Sequence, residues 1–230
     1  MTLAPDLDIF SLGRDALAKV RTLFDGRACF VSARRLQVDG SWLGPAEATC
    51  GLVDEEALQA RGGLRSAQKA GANTVVCSQD SAVASEALAL GLRVLVRVPF
   101  AAEEPASQRR DRLEKLADAL GRSPGIDGVL PIPVGETQGI DTLAFFAACR
   151  QACGPAHVVV DLESFGHKLG QLCLSFGADE ILGSIVAERA LRLGARASSN
   201  EITRDEAALL VRASGLVPCE RLPDGKVLTL

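Results

Sequence analysis

Short apolar runs alternate with amphipathic stretches along most of the 230-residue chain. Leu17, Val20 and Phe24 recur at helical spacing behind Ser11, a fair N-cap, so a helix is expected from Ser11, followed by a short buried strand at Ala28–Ala33. Gly40–Pro45 is turn-rich, and a second helix is expected from behind Asp54 to Ala70, weakened by Gly62 and Gly63. From Gly71 the alternation becomes strict. Thr74–Cys77 leads to a helix ending at Gly91, and Arg93–Val98 to one that opens near Pro105 and closes at Gly121. Gly128–Ile132 leads to a helix over Thr142–Ala152, and His157–Leu162 to one over His167–Phe176. Two more helices are expected near Ile185–Leu193 and Arg204–Ala213.

Apolar strands this short, separated by amphipathic helices, imply a parallel sheet buried on both faces and wound by right-handed crossovers. The pattern yields roughly five good strands, against eight in a complete barrel of about 250 residues. The expected fold is α/β: an incomplete or open parallel (β/α) barrel, TIM-barrel-like, with five or six strands, forming a single domain over residues 1–230. Residues 1–71 would supply the N-terminal helix and a shortened barrel start, 72–221 the main barrel and 222–230 a tail. A barrel that fails to close leaves a parallel edge, which the Ser11–Phe24 helix or a second copy of the chain is expected to cover.

Composition narrows the partners. With 47% hydrophobic and 23% charged residues the chain reads as globular, and a net charge of −4 offers no field for a phosphate backbone, so nucleic acid is not expected. Asp6 and Asp8 stand where a secretory peptide would need positive charge, and no apolar run is long enough for a membrane span, which gives a cytoplasmic expectation. Seven cysteines, Cys29, Cys50, Cys77, Cys149, Cys153, Cys173 and Cys219, are then read as reduced, buried small hydrophobes.

The segment Gln171-Leu-Cys-Leu-Ser-Phe-Gly-Ala-Asp-Glu-Ile-Leu-Gly-Ser184, followed by Glu188, resembles a C-terminal signature of aminofutalosine synthase, dehypoxanthinylfutalosine cyclase and the deazaflavin-forming FO synthases. These are radical S-adenosylmethionine (SAM) enzymes. Thr142-Leu143, Ala147-Ala148-Cys149-Arg150 and Leu130-Pro131-Ile132 extend the resemblance upstream, with Ala87, Leu90-Gly91-Leu92, Glu104, Arg109 and Leu113 in order before them. Leu193-Gly194-Ala195, Gly215, Pro218 and Arg221 continue it downstream, so that it covers roughly Ala72 to Arg221. It implies an open barrel, a [4Fe–4S] cluster and bound SAM.

The departures carry equal weight. The family's three-cysteine loop is absent, Cys29 and Cys50 standing alone, and its Gly-His pair before Glu104 is replaced by Ala101-Ala102. Its Thr-Met step becomes Arg97-Val98. The resemblance therefore implies a degenerate radical SAM paralogue, with no cofactor expected in this chain. Its role would be that of a non-catalytic binding or partner protein near menaquinone (futalosine pathway) or deazaflavin biosynthesis. A small-molecule ligand, a pathway enzyme or a second copy of the chain are the partners considered. The alternative is a cofactor-independent acid–base enzyme using the barrel mouth.

Candidate chemistry concentrates at the C-terminal ends of strands, where barrel sites lie. Arg97 alternates with Val96 and Val98, points inward and needs an anionic partner, with Glu104 or a ligand carboxylate as candidates. Asp161, Glu163 and His167 follow the strand His157–Leu162 at the same rim. These five residues form the candidate binding site. His157, at the start of its strand, is read as structural, as are Cys149 and Cys153. Asp179 and Glu180 are read as loop carboxylates capping a helix, and Glu103–Lys115 as a solvated helix face.

Overall fold

The structure, a computed structural model, describes residues 8–79, 81–102, 104–187 and 201–230. Helix α1 (Ile9–Phe24) is capped by Asp8, which accepts from the Phe10 amide at 3.0 Å and also from the Ser11 hydroxyl, so Ser11 lies inside the helix. Strand β1 (Arg27–Leu36), a short β2 (Trp42–Leu43) and β3 (Cys50–Asp54) follow. The helix expected over 54–70 is two helices, α2 (Glu55–Ala60) and α3 (Leu64–Lys69). Gly62 and Gly63 break it at positive φ, 77° and 93°.

Regular alternation takes over with β4 (Thr74–Ser78), α4 (Ala82–Ala89), β5 (Arg93–Phe100), α5 (Ala106–Arg122), β6 (Gly128–Pro133) and α6 (Gly139–Ala152). It continues through β7 (His157–Asp161), α7 (Leu162–Ser175) and β8 (Glu180–Gly183). Short strands β9 (Ile185–Val186) and β10 (Ile202–Thr203) pair with each other, and most of the helix expected over 185–193 lies outside the described residues. Helix α8 (Arg204–Ala213) opens on a full capping box between Thr203 and Glu206, and a hairpin of β11 (Val217–Arg221) and β12 (Val227–Thr229) takes up most of the expected tail.

Strands β1, β3, β4, β5, β6, β7 and β8 pair in that order, all parallel, and β8 returns to β1 from Cys29↔Glu180 to Ser32↔Gly183. The parallel, TIM-barrel-like architecture is as expected. Its ring differs in having seven strands and in being closed. Two strands make the difference. In β3 the apolar run is cut by Gly51, which is obligatory: a Cβ there would sit 2.2 Å from the Gly71 carbonyl oxygen. In β8 the run is only Ile181-Leu182 behind a charged Glu180, which reads as a loop.

With the ring closed, α1 covers no open edge and packs instead on α6 and α7. Residues Arg27–Phe30 of β1 pair with β11 on the edge that, further along, pairs with β3, so the C-terminal hairpin hangs from the N-terminal end of the barrel. Inside the ring, Val31, Ala33, Cys50, Leu52, Val76, Leu95, Leu130, Val159 and Leu182 form a packed core. A larger apolar layer, including Phe30, Val94, Val96, Phe145, Phe146 and Ile181, lies between strands and helices.

Candidate functional site

Strand alternation fixes what lines the C-terminal mouth. The interior residues Ala33, Leu52, Val76, Leu95, Leu130 and Val159 are each followed two positions later, on the same face, by Arg35, Asp54, Ser78, Arg97, Ile132 and Asp161. Asp161 is buried and holds Arg35 at 2.8 Å, while its other bonds, from Ser164 Oγ (2.7 Å) and the Glu163 amide (3.2 Å), make it the N-cap of α7. Asp54 likewise caps α2 through the Ala57 amide at 2.9 Å. Glu55 accepts from the amide (2.9 Å) and hydroxyl (2.7 Å) of Ser78. Burial works against the Glu55 charge, but bonds from Ser81 and Ser78 and the Arg97 charge hold its pKa below the ordinary value.

Of the five candidate residues, Arg97 and Asp161 lie towards the C-terminal ends of β5 and β7, and Glu163 in the first turn of α7. Glu163 accepts from Ser184 Oγ at 2.9 Å, and His167, half-buried, lies just beyond the break that Gly166 makes in α7 at φ 68°. Arg97 is half-buried and has no ion-pair partner among the described residues. Glu104 does not serve it. Arg112, two turns along α5, reaches back to Glu104 at 2.6 and 2.8 Å and closes a separate recess of about 340 Å³ with Phe100, Gln108 and Val134. The stretch expected to be a solvated face thus contributes a pair, Glu104–Arg112, and a buried Arg109.

Sequence reasoning missed a second polar cluster at the opposite end of the barrel. Asp179 and Glu180 do not cap a helix; both are buried at the start of β8. Asp179 accepts from Arg150 Nη1 (3.0 Å), the Val158 amide (2.7 Å) and His157 Nδ1. Glu180 binds Arg93 Nη2 at 2.7 Å and Arg221 Nε at 2.9 Å, and Arg93 also holds Asp127. Burial alone would raise the Glu180 pKa, but Arg93, then Arg221 and His157, bring it down to about 2. Burial opposes the charge on Arg93 as well, and Glu180 and Asp127 overcome it, moving that pKa upward. The available signal was the resemblance itself: Arg150 and Asp179, from two separate matching segments, are partners.

The [4Fe–4S] cluster that the family resemblance implies finds no ligands here. All seven cysteines are buried and free, distributed over β1, β3, β4, α6 and its C-cap, α7 and β11. Burial raises the thiol pKa to about 12 at Cys29 and Cys153 and about 11 at Cys77, and upward at Cys50, Cys149 and Cys173. No three His, Cys, Asp or Glu side chains among the described residues are grouped to hold a metal ion. Three converging thiolates are what a [4Fe–4S] cluster requires, and these positions do not fit it. No described helix is long and apolar enough to cross a membrane.

No family model matches the sequence, and no curated protein matches it. Among solved structures, methylornithine synthase (PylB) is similar with a TM-score of 0.63 at 11% identity, over 94% of this chain and 91% of that one. HydG, a maturase of the [FeFe]-hydrogenase, gives 0.61 at 9% identity over 94% and 70% of the two chains. HydG from Carboxydothermus hydrogenoformans gives 0.60 at 11% over 91% and 74%. Identities this low carry the fold alone, a closed parallel (β/α) barrel of the TIM-barrel-like kind.

Proposed function

We propose that this chain is a non-catalytic relative of radical SAM enzymes whose barrel mouth binds a small molecule bearing a carboxylate or phosphate. The observation that carries the reading is Arg97. It shares the interior face with Leu95 at the mouth, and the carboxylates around it are already engaged: Asp161 with Arg35, Asp54 with α2, Glu55 with Ser78. A guanidinium without a direct ion pair among the described residues, in a partly desolvated ring, selects an anion. Glu163, whose amide donates to Asp161, and His167 would meet the rest of the ligand. The dispersed, buried thiols support a role without reductive SAM cleavage. The Gln171–Ser184 resemblance favours a ligand or enzyme partner from menaquinone or deazaflavin biosynthesis.

The test uses inorganic phosphate and succinate as probes in calorimetric titrations of the parent and of Arg97→Gln. Weak millimolar binding by the parent, reduced at least about tenfold in a folded R97Q, is expected, equivalent to one lost charge-assisted hydrogen bond of roughly 1.4 kcal/mol. Equal affinity in the two proteins, or no binding by the parent, refutes the reading.

A further inference from the structure

The polar cluster at the N-terminal end of the barrel is an unbroken chain: Arg150, Asp179, His157, Arg221, Glu180, Arg93, Asp127. Its three guanidinium groups face three carboxylates, so it is neutral when His157 is neutral. The ring state is fixed by geometry. His157 Nε2 lies 2.9 Å from Arg221 Nη2, and a guanidinium can only donate, so Nε2 must carry its lone pair. The ring proton therefore sits on Nδ1 and is donated to Asp179.

Arg221 is the last residue of β11, and the turn after it, with Pro223 and Asp224, spans a recess of about 460 Å³ bounded by Asn73, Thr74, Arg93 and Asp127. Strand β11 is held by the β1 ladder, by α8 and by the Arg204–Glu220 pair, and the Arg221 bonds to Glu180 and His157 tie the start of the turn beyond it to the barrel.

We propose that His157 is a proton-operated latch: the neutral ring accepts from Arg221 and holds the C-terminal hairpin over the recess, and a proton on Nε2 displaces Arg221 and releases the hairpin. The proton comes from bulk water and returns to it, and no other bond changes. Around the ring, Phe24 of α1 stacks at 4.9 Å, Asp179 and Glu180 face it from β8 and the loop before it, Asp127 from the loop before β6, and Arg221 from β11. Arg150 of α6 shares Asp179 with it, and the Cys29 thiol, pushed up to about 12, stays neutral.

Burial lowers the proton affinity of His157, but the bond and charge of Asp179, then Glu180 and Asp127, leave its pKa above the ordinary 6.5. Lifting the hairpin removes the Arg221 charge and admits water. Both changes strengthen proton binding further, so the open form holds the proton more tightly than the closed one. By linkage, falling pH through this range favours opening while the barrel itself stays folded.

The experiment is amide hydrogen exchange over 217–229, corrected for intrinsic rates, in the whole protein and in His157→Gln. Glutamine keeps both contacts, its oxygen accepting from Arg221 and its amide donating to Asp179, and does not titrate. In the parent, exchange should be at least about tenfold faster near pH ~5.5 than near ~8.5, one pKa unit of coupling being a factor of ten. H157Q should be protected alike at both. A flat parent profile, or the same pH response in H157Q, overturns the proposal. If H157Q fails to fold, nitrogen NMR of the parent decides: the proton on Nδ1 at high pH supports the latch, and a proton on Nε2 overturns it. Only two histidines are present, so assignment is direct.

Discussion

Arg150 and Asp179 meet at 3.0 Å with neither side chain exposed to solvent. Arg150 also donates to the carbonyl oxygens of Gly154 (2.5 Å) and Ala156 (2.6 Å) and lies over the Phe24 ring, while the Gly177 position packs against its Cβ. One guanidinium thus joins α1, the α6–β7 turn and the entry to β8.

Removing one partner of such a pair leaves the other buried and uncompensated. Arg150→Met and Asp179→Asn should each destabilise the protein by about 3–5 kcal/mol, with the double variant well short of the sum. Urea denaturation of the four proteins gives the comparison. Additive losses would show that the two residues act separately.

Stability should fall in acid through Glu180. Its pKa drops from 4.5 to about 2 on folding, so its contribution is complete above about 4.5 and disappears as pH falls toward 2. The difference corresponds to about 3 kcal/mol. Glu180→Gln should be less stable than the parent at neutral pH and converge with it below about pH 2, as read from melting temperatures across the acid range.

Thiol accessibility gives a direct check of the core. All seven cysteines are buried, and burial raises most of their pKa values, so Ellman's reagent should label almost none in the native protein at neutral pH and all seven in guanidinium. Rapid labelling of two or more native thiols would contradict the packing described above.

The closed ring rests on a strand the sequence disguises. Gly51→Ala should cost at least about 1–3 kcal/mol, because the new methyl meets backbone at Gly71 that cannot rotate away. A near-neutral melting temperature for this variant would show that β3 and β4 can separate there.

What was legible follows from which physics is local. Five of the ring strands and the helices between β4 and α7 were readable because apolar runs and glycine stops report on their own neighbourhood; α4 ends at Ala89, just before Gly91 at φ 71°. Closure was not readable, since it depends on Gly51 and on Glu180, whose residue types argue against strands until their partners across the barrel are known. The candidate site divides the same way. Asp161, Glu163 and Arg97 could be placed by strand position, but Arg35, the partner of Asp161, lies 126 positions earlier, and only the ring brings them together. The wrong partner for Glu104 came from preferring a neighbour on the rim to Arg112, in the helix that begins just after it.

Strand β1 pairs with β2, β3, β8 and β11, and its contact with β8 joins residues roughly 150 positions apart. During synthesis, β1 through β7 can therefore leave the ribosome with the Cys29–Ser32 segment of β1 still lacking its β8 neighbour. The ring cannot shut until β8 has emerged, and the N-terminal half of β1 gains its other neighbour only when β11 follows. Long-range closure of this kind slows folding and leaves a parallel edge open to nascent-chain chaperones or to the wrong strand. The last fifty residues thus decide when the first strand is finished, and a chain released before β8 would present a sticky half-barrel in place of a smaller domain.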